Sequence, residues 1–294
     1  MLLRTLLPIG SGLGTGLVLA LLLAPAPGRA SAVTHASING VTDDDVQAVT
    51  SAAAATTAGP AAVGTAAASA DLASGTLKAR AEGDANDGPG GSLDADASSE
   101  LTDVLFLVPD PGSPTSPVPF TLFLDLDGIL LVGGSGTASP NLQLASARAV
   151  ATLGISGFAV SGVAPASFTV TRRVQASGGS VLDDSTTVDL QQNTTIVGVE
   201  PSTFEVRLTA SAMVTPNSGF EVRAFLSAES GAEAAFVSDT NLLQTGQLGV
   251  VVPDGYSLTS SSGVFLTVPE PRAPAPFALA AVAMLGFVRR RARS

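Results

Sequence analysis

Between residues 203 and 214 apolar and polar side chains alternate without interruption. Phe204, Val206, Leu208, Ala210 and Ala212 take one parity, and Glu205, Arg207, Thr209 and Ser211 the other. A strand throws successive side chains to opposite faces, so this run predicts a half-buried strand. Phe220-Glu221-Val222-Arg223 repeats the scheme beyond the turn-forming Pro216-Asn217-Ser218-Gly219. Phe168 to Thr171 and Val118 to Leu124 add two more alternating runs. Asp127-Gly128, Gly133-Gly134, Gly178-Gly179 and Pro253-Asp254-Gly255 read as turns. Short alternating runs punctuated by Gly and Pro predict an all-β fold. They form a single β-sandwich over residues 61–268, with jelly-roll-like and immunoglobulin-like topologies both open. Upstream, Thr42 can cap a helix whose first turn carries Asp43, Asp44 and Asp45, and Gly59-Pro60 can end it. Residues 33–60 therefore read as an Ala/Thr-rich segment holding a short helix, or as a low-complexity linker.

The two ends follow other patterns. A start with one positive charge, Arg4, leads into an apolar stretch strongest from Leu17 to Ala24. The breakers Pro25, Pro27 and Gly28 come next, followed by Ala30-Ser31-Ala32. That order is the order of a secretory signal peptide over residues 1–32, with small residues Ala30 and Ala32 at −3 and −1. Signal peptidase is then expected to leave Val33 as the first mature residue. At the other end Val268-Pro269-Glu270-Pro271 precedes an uncharged run from Ala273 to Val288, closed by Arg289, Arg290, Arg291 and Arg293. As a helix that run is about 24 Å long, just enough for a thin bilayer. Its arginine cluster would stay cytoplasmic and its Pro-Glu-Pro outside.

Residues 268–294 closely resemble the PEP-CTERM sorting signal, in which Val-Pro-Glu-Pro precedes a short transmembrane helix and terminal arginines. Arg272-Ala273-Pro274-Ala275-Pro276 departs from the family pattern in carrying more proline and charge directly after the motif. The resemblance implies an exosortase as processing partner. It also implies a Gram-negative host that makes extracellular polysaccharide, and a membrane-held precursor delivered to the cell surface or matrix. More loosely, Ala70 to Ala79, Leu101 to Phe106, and Pro253 to Tyr256 leading into Ser262 to Leu266 resemble the early strands and closing hairpin of the sandwich domain common in that family. No catalytic activity comes with that domain.

Charge sharpens this reading. All 25 acidic residues lie between Asp43 and Glu270, where only seven basic ones accompany them, a surplus of 18 negative charges. Such a surface repels nucleic acid. With no cysteine, thiol catalysis and thiolate metal sites are excluded, and one histidine, His35, leaves no usual zinc site. Placed three residues into the mature chain, His35 is expected in a mobile tail, out of reach of a nucleophile.

Two motifs invite chemistry. Phe123-Leu124-Asp125-Leu126-Asp127-Gly128 resembles the first motif of haloacid-dehalogenase-type phosphatases, with Asp183-Asp184 as a mock metal pair. Ile129 stands where that family has threonine, and the single lysine, Lys78, lies upstream rather than downstream. A turn is the better reading. Glu82, Asp84, Asn86 and Asp87 put oxygens on a Gly-containing loop that could take calcium, although the spacing misses the EF-hand template. Otherwise no cofactor is expected. The chain reads as a non-enzymatic, exported structural protein. A secreted carbohydrate-binding module or carbohydrate-active enzyme is the alternative, disfavoured by one tyrosine and no tryptophan.

Overall fold

Alternation governs nearly the whole interior. A computed structural model describes residues 30–38, 41–47, 51–57, 63–85, 92–134, 142–190, 193–200, 202–233 and 236–266. The sorting motif, the run 273–288 and the arginine cluster lie outside them, as do Asn86 and Asp87. The chain runs through β1 (Ser31–Ile38), β2 (Val41–Gln47), β3 (Ser51–Thr57), β4 (Val63–Asp71), β5 (Thr76–Asp84) and β6 (Ser92–Pro109). It continues through β7 (Val118–Gly133), β8 (Gln143–Ser156), β9 (Val160–Ala164), β10 (Ala166–Ser177) and β11 (Ser180–Leu190). It ends with β12 (Thr194–Val199), β13 (Thr203–Val214), β14 (Gly219–Glu233), β15 (Val237–Val251) and β16 (Tyr256–Ser260).

Two antiparallel sheets result. One orders its strands β11-β10-β8-β14-β6-β1-β2, with β16 also on β6. The other orders them β12-β13-β7-β15-β5-β4-β3, with β9 also on β13. Each of the eight strands β5, β6, β7, β8, β10, β13, β14 and β15 can be numbered in turn. Their pairings then read 1-8-3-6 in one sheet and 2-7-4-5 in the other. Among these eight strands the chain passes from sheet to sheet at every step except that from β8 to β10. The inner faces share a single apolar core.

That core has two textures. Towards β7, β10, β13 and β14 it is aromatic: Phe120 meets Phe220 edge-on at 4.8 Å, and Phe168 meets Phe204 at 5.2 Å between centroids. Towards β1, β4, β5 and β6 it is built from alanine, with Ala66, Ala68, Ala79 and Ala81 buried opposite Ala32, Ala36 and Ala97. Methyl side chains let the sheets close up. Cα atoms of β1 and β4 come within 8 Å, against about 10 Å for ordinary stacked sheets. Gly64 and Gly83, register partners on β4 and β5, leave the hole that the fully buried Leu93 of β6 fills.

Three expectations are corrected here. The segment after Thr42 is not a helix: Val41–Gln47 pairs with β1, and Ser51–Thr57 pairs with β4. Alanine's helix preference is worth under about 1 kcal/mol per residue, and the ladder contacts override it. Asp127-Gly128 is no turn but the middle of β7. Glycine is needed there because a Cβ would lie 2.4 Å from the Phe204 ring. The closing segment is not a hairpin either. After the turn at Pro253-Asp254-Gly255 the chain leaves β15 for the opposite sheet, where β16 pairs with β6.

Candidate functional site

The motif carrying Asp125 and Asp127 lies on the outer face of its sheet. There β7 and β13 set Asp125 opposite Arg207 and Asp127 opposite Glu205. Arg207 donates through both Nε and Nη2 to the Asp125 carboxylate, the second bond at 2.6 Å. Its guanidinium also covers the Phe123 ring at 4.8 Å from the centroid. The Asp125 carboxylate therefore raises the Arg207 pKa further above its ordinary value. Shallow depressions flank this pair. One of about 320 Å³ is bordered by Asp127, Glu200, Glu205 and Asn241, and another of about 540 Å³ by Asp125, Arg207 and Gln247. Asp183 and Asp184 are on β11 in the other sheet, where Asp184 holds Arg172 at 3.1 Å. The phosphatase-like carboxylates are thus not brought together.

On the opposite outer face a polar row crosses four strands. His35 Nε2 lies 2.9 Å from Asp96, Asp96 faces Glu229 across the ladder, and Glu229 holds Arg148 at 3.0 Å. His35 is accordingly not in a mobile tail: it sits in β1, paired with Ser98 on one side and Asp44 on the other. Like charges set directly opposite one another repel, and here each has a cationic or ionisable neighbour on its far side. A depression of about 440 Å³ opens above the row.

Of the four candidate calcium ligands, Glu82 and Asp84 are strand residues of β5. Glu82 already accepts from Arg80 at 2.9 Å and from Thr65 at 3.1 Å. Among the described residues no group of three acidic or imidazole side chains converges as a metal site. Arg80 also reaches Asp239 through Nε at 3.2 Å. Burial pushes the Asp239 carboxyl above its usual range, against the downward pull of Arg80, and Glu82 adds to the rise.

A carboxyl whose folded pKa exceeds its unfolded one stabilises the fold below the unfolded value. That contribution is lost as pH rises through the folded value. Acidification through the carboxylate range should therefore stabilise the wild type relative to Asp239→Asn. Urea melts at a series of pH values read this directly; a wild type that loses stability relative to the variant on acidification contradicts it.

One buried group escaped the reading of the sequence. Asp103 is fully buried on the inner face of β6. It accepts from Ser261 at 2.7 Å, from Ser262 at 2.5 Å and from the Val104 amide at 2.7 Å. The parity of Leu101, Asp103 and Leu105 was the available signal, since it puts a carboxylate in a row of core positions. Its two serine donors lie in the segment after β16, where Leu266 donates to the Leu72 carbonyl at 3.2 Å.

Both ends of the described chain meet at this place. β1 covers β6 from Ala95 to Thr102, and β16 covers it from Leu105 to Pro109. Since β14 holds the other edge of β6, the two strands lie end to end, Ser31 close to Ser260 and Ser261. Of the processing residues, Ala30 and Ala32 are buried here, and Val33 is paired to Glu100. No protein-family model matches this chain, and no curated protein or solved structure matches it either.

Proposed function

We propose that this is an exported structural protein of the cell surface or extracellular matrix, carried to the membrane by its N-terminal signal and sorted by an exosortase through its C-terminal tail. The observation that carries the reading is the placement of the motif. The last described core residue is Leu266, and Val268-Pro269-Glu270-Pro271 begins two residues later. The apolar run and arginine cluster follow at once. Adjacent ends lend support, because the domain would hang by one corner from both of its membrane-directed segments. The domain itself reads as a jelly roll, on the pairing order of its eight principal strands. No catalytic role is assigned to it; its polar rows serve solubility and contact with a hydrated, polysaccharide-rich surrounding.

The tail is tested by mass spectrometry of the protein made in a host that has an exosortase. The delivered species should lack Arg289 to Ser294. Deleting residues 272–294 should yield a soluble protein with an unchanged melting temperature, since the alternating strand pattern ends before them. Glu270→Ala should still reach the membrane but accumulate with its C-terminus intact. Recovery of Ala292-Arg293-Ser294 on the delivered wild type would leave only an anchor and no sorting.

A further inference from the structure

On one side of the sandwich the two sheets end at β11 and β12, and among the described residues no strand pairs with the outer edge of β11. A free edge offers its amides and carbonyls to another strand, and proteins commonly blunt it with proline, lysine, a short length or a bulge. β11 is 11 residues long and holds neither proline nor lysine. Its one irregularity, opposite Gln175 and Ala176, lies near its start, so Asp183 to Leu190 pair with β10 in unbroken register. All of these residues except Ser185 are exposed. β12, the matching edge of the other sheet, has only six residues and a break in register after Ile196.

The sequence of β11 is complementary to itself. Two copies of one strand can pair antiparallel about a two-fold axis perpendicular to the sheet, and partner residues then come from the same face. With the axis at Ser185, Asp183 of each copy stands opposite Thr187 of the other, and Asp184 opposite Thr186. Asp183, Ser185 and Thr187 share the outer face, while Asp184 and Thr186 share the inner one. Each of these carboxylates thus faces a hydroxyl that can donate to it. The exposed Leu182 and Val188 fall at the same height just beyond them. Moving the axis by one residue in either direction destroys the match. Centred on Asp184, that carboxylate faces its own copy; centred on Thr186, Asp183 faces Asp189. Like charges set directly opposite one another are destabilising, so one alignment is favoured over its neighbours.

We propose that β11 is a self-association edge: a second copy of this chain adds its own β11 antiparallel, with Ser185 on the two-fold axis, so that one sheet runs through both molecules. The proposal stands apart from the export reading and survives or fails without it. The chain has no cysteine, so single substitutions in the full chain report one position each. Facing Cα atoms of an antiparallel pair are about 4.5–5.5 Å apart, within disulfide reach, whereas residues two positions from the axis lie more than about 13 Å from their own copies. After oxidation with diamide, Ser185→Cys should give a reducible dimer at about ten times or more the yield of Asp183→Cys or Thr187→Cys alone. Asp183→Cys and Thr187→Cys chains produced together should cross-link to each other. Thr186→Asp keeps Arg172 opposite it on its own sheet but sets a carboxylate against Asp184 of the other copy, twice about the axis. Added to Ser185→Cys, it should raise the protein concentration needed for half cross-linking about tenfold. That pattern supports the proposal. A chain that does not cross-link through position 185, equal yields at the three positions, or no effect of Thr186→Asp on the cross-linking overturns it.

Discussion

Val206→Asp should abolish most of the stability of the domain. Val206 is buried on the inner face of β13, opposite Leu126 of β7 and Ile196 of β12. Among the described residues no cation is buried in the core, so a carboxylate in that position stays unpaired, at a cost of about 4 kcal/mol or more. Its neighbour behaves in the opposite way. Glu205 is exposed and stands across the ladder from Asp127, so Glu205→Lys exchanges a repulsive pair for an attractive one. The expected change is a stabilisation of no more than about 1 kcal/mol. Urea melts of the two variants decide the matter. A large loss for Glu205→Lys with little for Val206→Asp would mean that the two faces of β13 have been exchanged, which is what a one-residue shift in register does.

The second large effect is expected in the alanine half. A Cβ on Gly83 would lie 2.8 Å from Leu93 Cδ2, and one on Gly64 would lie 2.9 Å from the same atom and from the Glu82 carbonyl. Leu93 is fully buried, so a Cβ at either position must displace its methyls within the core. Gly83→Val should therefore cost about 3 kcal/mol by overpacking. Leu93→Ala should cost about 3 kcal/mol by leaving the hole empty. Combined, they relieve one another: the double variant should be more stable than the sum of the singles predicts, by more than about 1 kcal/mol. Simple additivity in a double-mutant cycle would show that the leucine and the glycine are not in contact.

What could be read from the sequence followed solvent exposure. β13 was legible from end to end because it is wetted on one face and dry on the other, with Phe204 through Ala212 buried at every second position. The turns at Pro216-Gly219, Gly178-Gly179 and Pro253-Gly255 were legible too. Asn217, Gly178, Gly179 and Gly255 adopt positive φ there, which their residue types favour. Gly128 misled because the same residue type serves a different need, room for the Phe204 ring. Residues 41–47 misled because Thr42 and the three aspartates match a helix start, and residues 51–57 because alanine is neutral to the period of the pattern, fitting a sheet as readily as a helix. The crossing from β15 to β16 depends on long-range pairing with β6 and left no local trace. Asp103 was visible only as an anomaly of parity, and its role depends on serines more than 150 positions away.

The alanine half also bears on how the chain recognises its own alignment. Along β4 and β5 the inward partners are Gly64 with Gly83, Ala66 with Ala81, Ala68 with Ala79, and Ala70 with Leu77. Sliding one strand by two residues would keep every side chain on its face and replace alanine by alanine over most of the contact. The hydrophobic pattern is therefore nearly degenerate, and a misaligned ladder would bury almost the same surface. What breaks the degeneracy is the glycine pair, which leaves room for Leu93, together with the fully buried Leu77 opposite Ala70. Much of the positional information for this half of the domain is concentrated in two leucines and the two residues that lack a side chain beneath one of them.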